Sequence, residues 1–267
     1  MDPMIFPTPD GLELDVRVPA GTITLRASET IETRVHLTGE RDSEEVTIRL
    51  TPRPTGGHHL IIEHKPGRSL AWFGSPKQVR VKIDVPLGTA IAAESGSADL
   101  AVVGEIGALS FRSGSGDLAF GEVRGGVDVK VASGDIRGES AGADLRVQSA
   151  SGDVRVRRVG GISTVKTASG DIEIESAEGS VQVMTTSGDV TIGTASAGQI
   201  NIRTISGDVG VGVAPDTRVW LALESRSGAT ISELKAAEAG DKARLEIRAV
   251  SVSGDVRVTR SSVGSPC

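Results

Sequence analysis

Ser151-Gly152-Asp153-Val154-Arg155-Val156-Arg157 is followed eighteen residues later by Ser169-Gly170-Asp171-Ile172-Glu173-Ile174-Glu175. The same triplet occurs as Ser115-Gly116-Asp117, Ser133-Gly134-Asp135 and Ser187-Gly188-Asp189, all at steps of 18. It is extended backward by Ser97-Ala98-Asp99 and forward, after a step of 19, by Ser206-Gly207-Asp208, and it returns as Ser253-Gly254-Asp255. Self-similarity at a fixed period marks a repeat architecture, in which each unit buries its apolar face only against its neighbours.

Within each repeat the apolar residues alternate. Leu118/Phe120, Val154/Val156, Ile172/Ile174, Val190/Ile192 and Val209/Val211 follow the triplets. A second alternation comes about nine residues later, as Val127/Val129, Leu145/Val147, Val181/Val183 and Ile200/Ile202. Period two is the strand signature, so each repeat reads as two strands, with glycines such as Gly125, Gly142, Gly161, Gly179 and Gly198 marking the turn between them. Eighteen residues with two glycine turns leave no segment long enough for an amphipathic helix.

Equivalent positions also stay chemically equivalent, as stacking like strands in parallel requires. Val123, Ala141, Val159, Ala177 and Ala195 form a small apolar row suited to a tight inward corner. Arg155 and Arg157 fall one period before Glu173 and Glu175, which predicts opposite charges side by side on neighbouring strands. The fold expected is all-β: a single-stranded β-solenoid, or β-helix, with rungs of about 18 residues. One repeat departs from the pattern. Ser163 stands where an apolar residue is expected and Ile162 beside it, so a bulge or register shift is expected there.

One solenoid domain is expected over residues 1–260, with irregular N-terminal rungs or a cap over 1–90 and regular repeats over 91–213. Residues 214–260 read as C-terminal rungs with an inserted loop or short helix at 232–243, and 261–267 as a disordered tail. Irregular ends suit a stack whose terminal strands need covering against edge-to-edge aggregation.

The triplet itself reads as structural. Glycine adopts the left-handed backbone that a tight corner needs, and the following aspartate accepts hydrogen bonds from nearby amides. A calcium ladder along the stacked aspartates is the competing reading, but the Gly-Gly-x-Gly-x-Asp nonapeptide of calcium-binding β-rolls is lacking. Ser149, Thr167, Thr185 and Thr204 form a hydroxyl row that reads as corner groups bonded to backbone in preference to an ice- or sugar-binding array. Candidate partner contacts are the outward cations Lys130, Lys166 and Arg203, together with Trp72 and Phe73, two of the few aromatic residues. His58, His59 and His64 lie close together but lack a metal-ligand spacing, so no metal or other cofactor is expected.

The bulk properties agree with a thin aliphatic core: 34 glycines, 2% aromatic residues and no tyrosine. A formal net charge of −6 offers no basic excess for a phosphate backbone, so nucleic acid is not an expected partner. Cys267 is the only cysteine, which excludes an internal disulfide. No stretch reaches the roughly 18 apolar residues of a membrane-spanning helix. No nucleophile elbow, phosphate-binding Gly-Lys loop or zinc-protease motif occurs, so no catalytic residues are expected and the chain reads as a non-enzyme.

The repeated Ser-Gly-Asp strands, the lead-in Ile83-Asp84-Val85-Pro86-Leu87-Gly88 and the closing Val250-Ser251-Val252-Ser253-Gly254-Asp255-Val256 resemble the bacterial putative adhesin family of β-strand-repeat domains. The resemblance implies a single-chain β-helix and an adhesin-like role, and it carries no active-site positions. Many members of that family carry a signal peptide or membrane anchor, whereas Met1 to Asp10 shows neither, so cytoplasmic residence is the expectation. The functions expected are a scaffold or adhesin-like protein-interaction module, with self-association or a protein partner. A glycan-binding module using a polar face is the alternative, and a polysaccharide-acting β-helix enzyme ranks behind both.

Overall fold

The computed structural model describes residues 3–38, 46–54, 56–64, 79–234 and 244–261. Trp72, Phe73, residues 235–243 of the expected insertion and residues 262–267 of the expected tail lie outside them. The described residues are all-β, largely in parallel ladders, and divide into two compact units, 1–135 and 136–267.

The first unit contains β1 (Met4–Pro7), β2 (Leu12–Ser28), β3 (Glu32–Thr38), β4 (Val46–Pro52), β5 (His58–His64), β6 (Val79–Pro86), β7 (Ala90–Ile106), β8 (Ala108–Ser115), β9 (Leu118–Val123) and β10 (Val127–Ser133). Two parallel ladders run through it. One joins β5, the first half of β2, the first half of β7, β8 and β10; the other joins β6, the second half of β2, the second half of β7 and β9. β2 thus lies inside the ladders, between β5–β6 on one side and β7 on the other. Beyond β5 and β6 the pairing turns antiparallel, with β4 on β5, β3 on β6 and β1 on β3. Antiparallel strands laid on β5 and β6 occupy main-chain groups that would otherwise face solvent at this end of the ladders.

The second unit contains β11 (Ile136–Ala141), β12 (Leu145–Ser151), β13 (Val154–Val159), β14 (Ser163–Lys166), β15 (Ile172–Ala177), β16 (Val181–Met184), β17 (Val190–Ala195), β18 (Gly198–Ser206), β19 (Val209–Val213), β20 (Val219–Ser227), β21 (Thr230–Ser232), β22 (Leu245–Ser253) and β23 (Val256–Arg260). Here too there are two ladders. Val154 pairs with Ile172 and Ile172 with Val190, while Val165 pairs with Val183 and Val183 with Ile202. Inward residues of both ladders are aliphatic and almost wholly buried, including Val154, Ile174, Val183, Ile192 and Ile202. The corner row Ala141, Val159, Ala177, Ala195 and Val213 is in register and buried.

Two details differ from the sequence reading. Ser163 causes no bulge: it pairs with Leu145 on one side and Val181 on the other in unbroken register, fully buried, while Ile162 points outward. A serine is small enough to enter an inward position without displacing the frame, and the strand keeps its alternation.

The last strands also do not stack in chain order. β22 pairs with β18 on one side and β20 on the other, and β23 likewise lies between β19 and β21. The C-terminal segment therefore slots inside, and β20–β21, which falls within the span expected to form C-terminal rungs, lies beyond it.

Candidate functional site

The Ser-Gly-Asp aspartates form hydrogen-bonded ladders, each carboxylate serving the following rung. In the first unit the Asp117 amide donates to Asp99 Oδ1 at 3.0 Å and the Asp135 amide to Asp117 Oδ1 at 2.9 Å. In the second, the amides of Asp171, Asp189 and Asp208 donate in turn to Asp153, Asp171 and Asp189 at 2.8–3.0 Å. The Asp255 amide then donates to Asp208, and the Ala229 amide to Asp255, each at 2.8 Å. The order Asp208, Asp255, Ala229 follows space and not the chain. Among the described residues no further amide follows Ala229 in the ladder, and position 229 carries no carboxylate.

Gly134, Gly152, Gly170, Gly188, Gly207 and Gly254 have positive φ, as the corner reading requires. Gly116 does not; a Cβ there would lie 2.3 Å from the Ala98 carbonyl oxygen, so close approach of the chain explains that glycine. The Asp171 amide is the main reason the Asp153 carboxyl is held below the ordinary carboxylate range, aided by Arg155, whose guanidinium lies 2.9 Å from it.

The hydroxyl row is tied to main chain. Ser149, Thr167, Thr185 and Thr204 donate to the carbonyls of Ser151, Ser169, Ser187 and Ser206 at 2.8–3.3 Å. These hydroxyls close corners. The histidine group does not converge either: His59 Nε2 lies 3.3 Å from Asp15 Oδ2, and among the described residues no three His, Cys, Asp or Glu side chains are grouped to hold a metal. Lys130, Lys166 and Arg203 are exposed. In the second unit Lys166 and Arg203 share one row with Gln148 and Met184, Met184 standing between the two cations; in the first, Lys130 pairs beside Arg112.

Outward charges on the triplet-following strands neutralise one another along the row. Arg155 lies 3.5 Å from Glu173, and Arg157 lies 2.6 Å from Glu139 and 3.3 Å from Glu175. The two flanking carboxylates raise the Arg157 pKa further, Glu139 most.

That charged surface stops at β17. The outward row Glu173, Thr191, Gly210, Arg257 is continuous in register, and one row over Gly212 pairs with Thr259. Where the preceding strands carry Arg and Glu, β17 and β19 carry Thr191, Gly193, Gly210 and Gly212, leaving a trough of about 460 Å³. Glu173 and Glu175 form one wall, Arg257, Thr259 and Arg260 the other. From Glu173 to Arg257 are three strand spacings, about 14 Å.

From sequence Glu173 and Glu175 stand out only as partners of Arg155 and Arg157, and Thr191, Gly193, Gly210, Gly212, Arg257, Thr259 and Arg260 do not stand out at all. The available signal was Val209-Gly210-Val211-Gly212-Val213, which keeps the inward alternation while erasing every outward side chain.

The described residues thus form an all-β protein of parallel ladders with in-register outward rows. The chain belongs to the Toastrack DUF4097 family, which it matches over residues 12–262. Among solved structures it is similar to a "putative adhesin" from Bacteroides fragilis NCTC 9343, at 13% identity, covering 96% of this chain and 95% of that one, with a TM-score of 0.44. It is also similar to a "putative adhesin" from Parabacteroides distasonis ATCC 8503, at 13% identity, 96% and 95% coverage and a TM-score of 0.40. A "putative lipid binding protein" from the same organism matches at 16% identity, 96% and 96% coverage and a TM-score of 0.42. No curated protein matches the chain. Among the described residues no helix is long and apolar enough to cross a membrane.

Proposed function

We propose that this protein is a non-catalytic, adhesin-like recognition module, in which rungs of about 18 residues hold a rigid polar face toward a ligand and irregular ends cover the stack. The observation that carries the reading is the arrangement of outward side chains. Arg155, Arg157, Glu173 and Glu175 are matched to their neighbours along straight rows, which favours a preorganised contact surface over a cluster of groups converging on a reacting atom.

Protein and glycan ligands both suit such a face. The trough over Gly193, Gly210 and Gly212 favours the glycan, because β19 is an interior strand whose backbone already bonds β17 and β23 and so has no free edge for a peptide main chain. Its remaining polar groups are hydroxyls and charges, which suit a polyol.

The test is to incubate the purified chain with a broad panel of immobilised and soluble glycans, scoring saturable binding and new reducing ends together. Saturable binding with no cleavage is expected. Release of new reducing ends, abolished by a point substitution in the trough, would overturn the non-catalytic reading.

A further inference from the structure

We infer that the trough between Glu173 and Arg257 is a binding site for a carboxylate-bearing oligosaccharide, lying over Gly210 and held by Arg257; this rests on the recognition-module reading above and names its ligand class. Three observations carry it.

The first is Gly210. Glycine inside a strand costs roughly 0.5–1 kcal/mol relative to alanine, and a strand keeps one where backbone geometry or a close neighbour demands it. Neither applies here. Gly210 lacks a positive φ, and a Cβ built on it would meet nothing nearer than Thr191 Oγ1 at 4.0 Å. Gly193 and Gly212 differ, since a Cβ would lie 2.7 Å from the Glu175 carbonyl oxygen and 1.8 Å from the Gly193 carbonyl oxygen, respectively. Packing explains those two and leaves Gly210 to be explained by what approaches it from solvent.

The second is charge. On the acidic wall each glutamate has a cation beside it, Glu173 paired with Arg155 and Glu175 with Arg157, although Arg155 also bonds Asp153 and Arg157 also bonds Glu139. The opposite wall differs. Arg260 donates to the main-chain carbonyls of Ala214 at 2.8 Å and Thr217 at 2.9 Å, which orients its guanidinium without cancelling the charge. Arg257 is exposed, and among the described residues no carboxylate forms an ion pair with it. The trough thus offers an uncompensated guanidinium, the group best shaped to grip a carboxylate through two parallel bonds.

The third is the complement of neutral partners. Thr191 and Thr259 offer hydroxyls that donate and accept, matching sugar hydroxyls. A pyranose chain laid along the strands fits a width of about 14 Å between the charged rows.

The experiment measures binding of the full chain by calorimetry to tetragalacturonate and tetramannuronate, their methyl esters and a tetraglutamate peptide. At least one acid is expected to saturate the protein, with its ester at least tenfold weaker and the peptide weaker than the acid. R257Q is expected to weaken that acid at least tenfold, and G210Q, which fills the trough at a position with room for a side chain, to abolish binding with an unchanged melting temperature. R146Q, at an exposed position of β12 on the other ladder, should bind as the unaltered chain does. Equal affinity for acid and ester, undiminished binding by R257Q or G210Q, or preference for the peptide would overturn the assignment. If neither acid binds, the assignment fails. The recognition-module reading fails only if the wider glycan panel and protein partners are also empty.

Discussion

Ser163 occupies an inward column between Leu145 and Val181, and among the described residues its hydroxyl has no hydrogen-bond partner despite complete burial. A buried, unsatisfied hydroxyl costs about 1–3 kcal/mol. S163A removes that penalty and leaves the Cβ in place, so it is expected to stabilise the fold by about 1–2 kcal/mol. S163V further adds two methyl-sized groups, each worth about 0.8 kcal/mol when buried. Neighbours in the same column are larger than serine, so the added volume has precedent on both sides. Overpacking costs of about 1–3 kcal/mol offset part of this, and a net gain between about 0 and 2.5 kcal/mol is expected for S163V. Urea unfolding measures both through the midpoint at constant slope. A loss of more than about 1 kcal/mol for S163A would show that the hydroxyl is bonded in the folded state and would contradict a destabilising Ser163.

The Asp153 carboxyl has a lowered pKa in the folded state, so its contribution to stability is present above the ordinary carboxylate pKa and is lost as pH falls through the folded value. D153N keeps an acceptor oxygen for the Asp171 amide but cannot ionise, so its stability should fall less steeply on acidification than that of the unaltered chain; parallel pH profiles would contradict this. R157E turns the row Glu139, Arg157, Glu175 into three carboxylates. Its melting temperature should drop at low salt and largely recover near 1 M salt, where the Debye length is only about 3 Å; an equal drop at both would implicate packing instead. In hydrogen exchange, β22 amides, paired on both sides, should be better protected than those of β20, and the reverse order would restore stacking in chain order.

Much of this was legible in the residues. The eighteen-residue step predicted the partners Arg155 and Glu173, the buried small row and the corner hydroxyls, because parallel strands place like positions together and only repeating chemistry satisfies that. Ser163 misled because an alternation rule registers polarity, whereas the strand responds to size. The order of the last strands was hidden for another reason: Val219, Leu221 and Leu223 alternate as well as Leu245, Ile247 and Ala249, so neither alternation identifies the partner of β18. The distinguishing mark was Ser227-Gly228-Ala229, a triplet without its aspartate. The trough went unseen because attention to recurring charges passes over the positions where charge is missing.

Stacking one period apart is tested most directly by cysteine pairs in a C267S background. Arg155, Glu173 and Thr191 are neighbours across β13, β15 and β17, with adjacent Cα atoms about 4.8 Å apart, within disulfide range. Mild oxidation should cross-link R155C with E173C, and E173C with T191C, leaving R155C with T191C free at about twice that distance. Efficient bonding of the outer pair, or failure of both adjacent pairs, would contradict the parallel register.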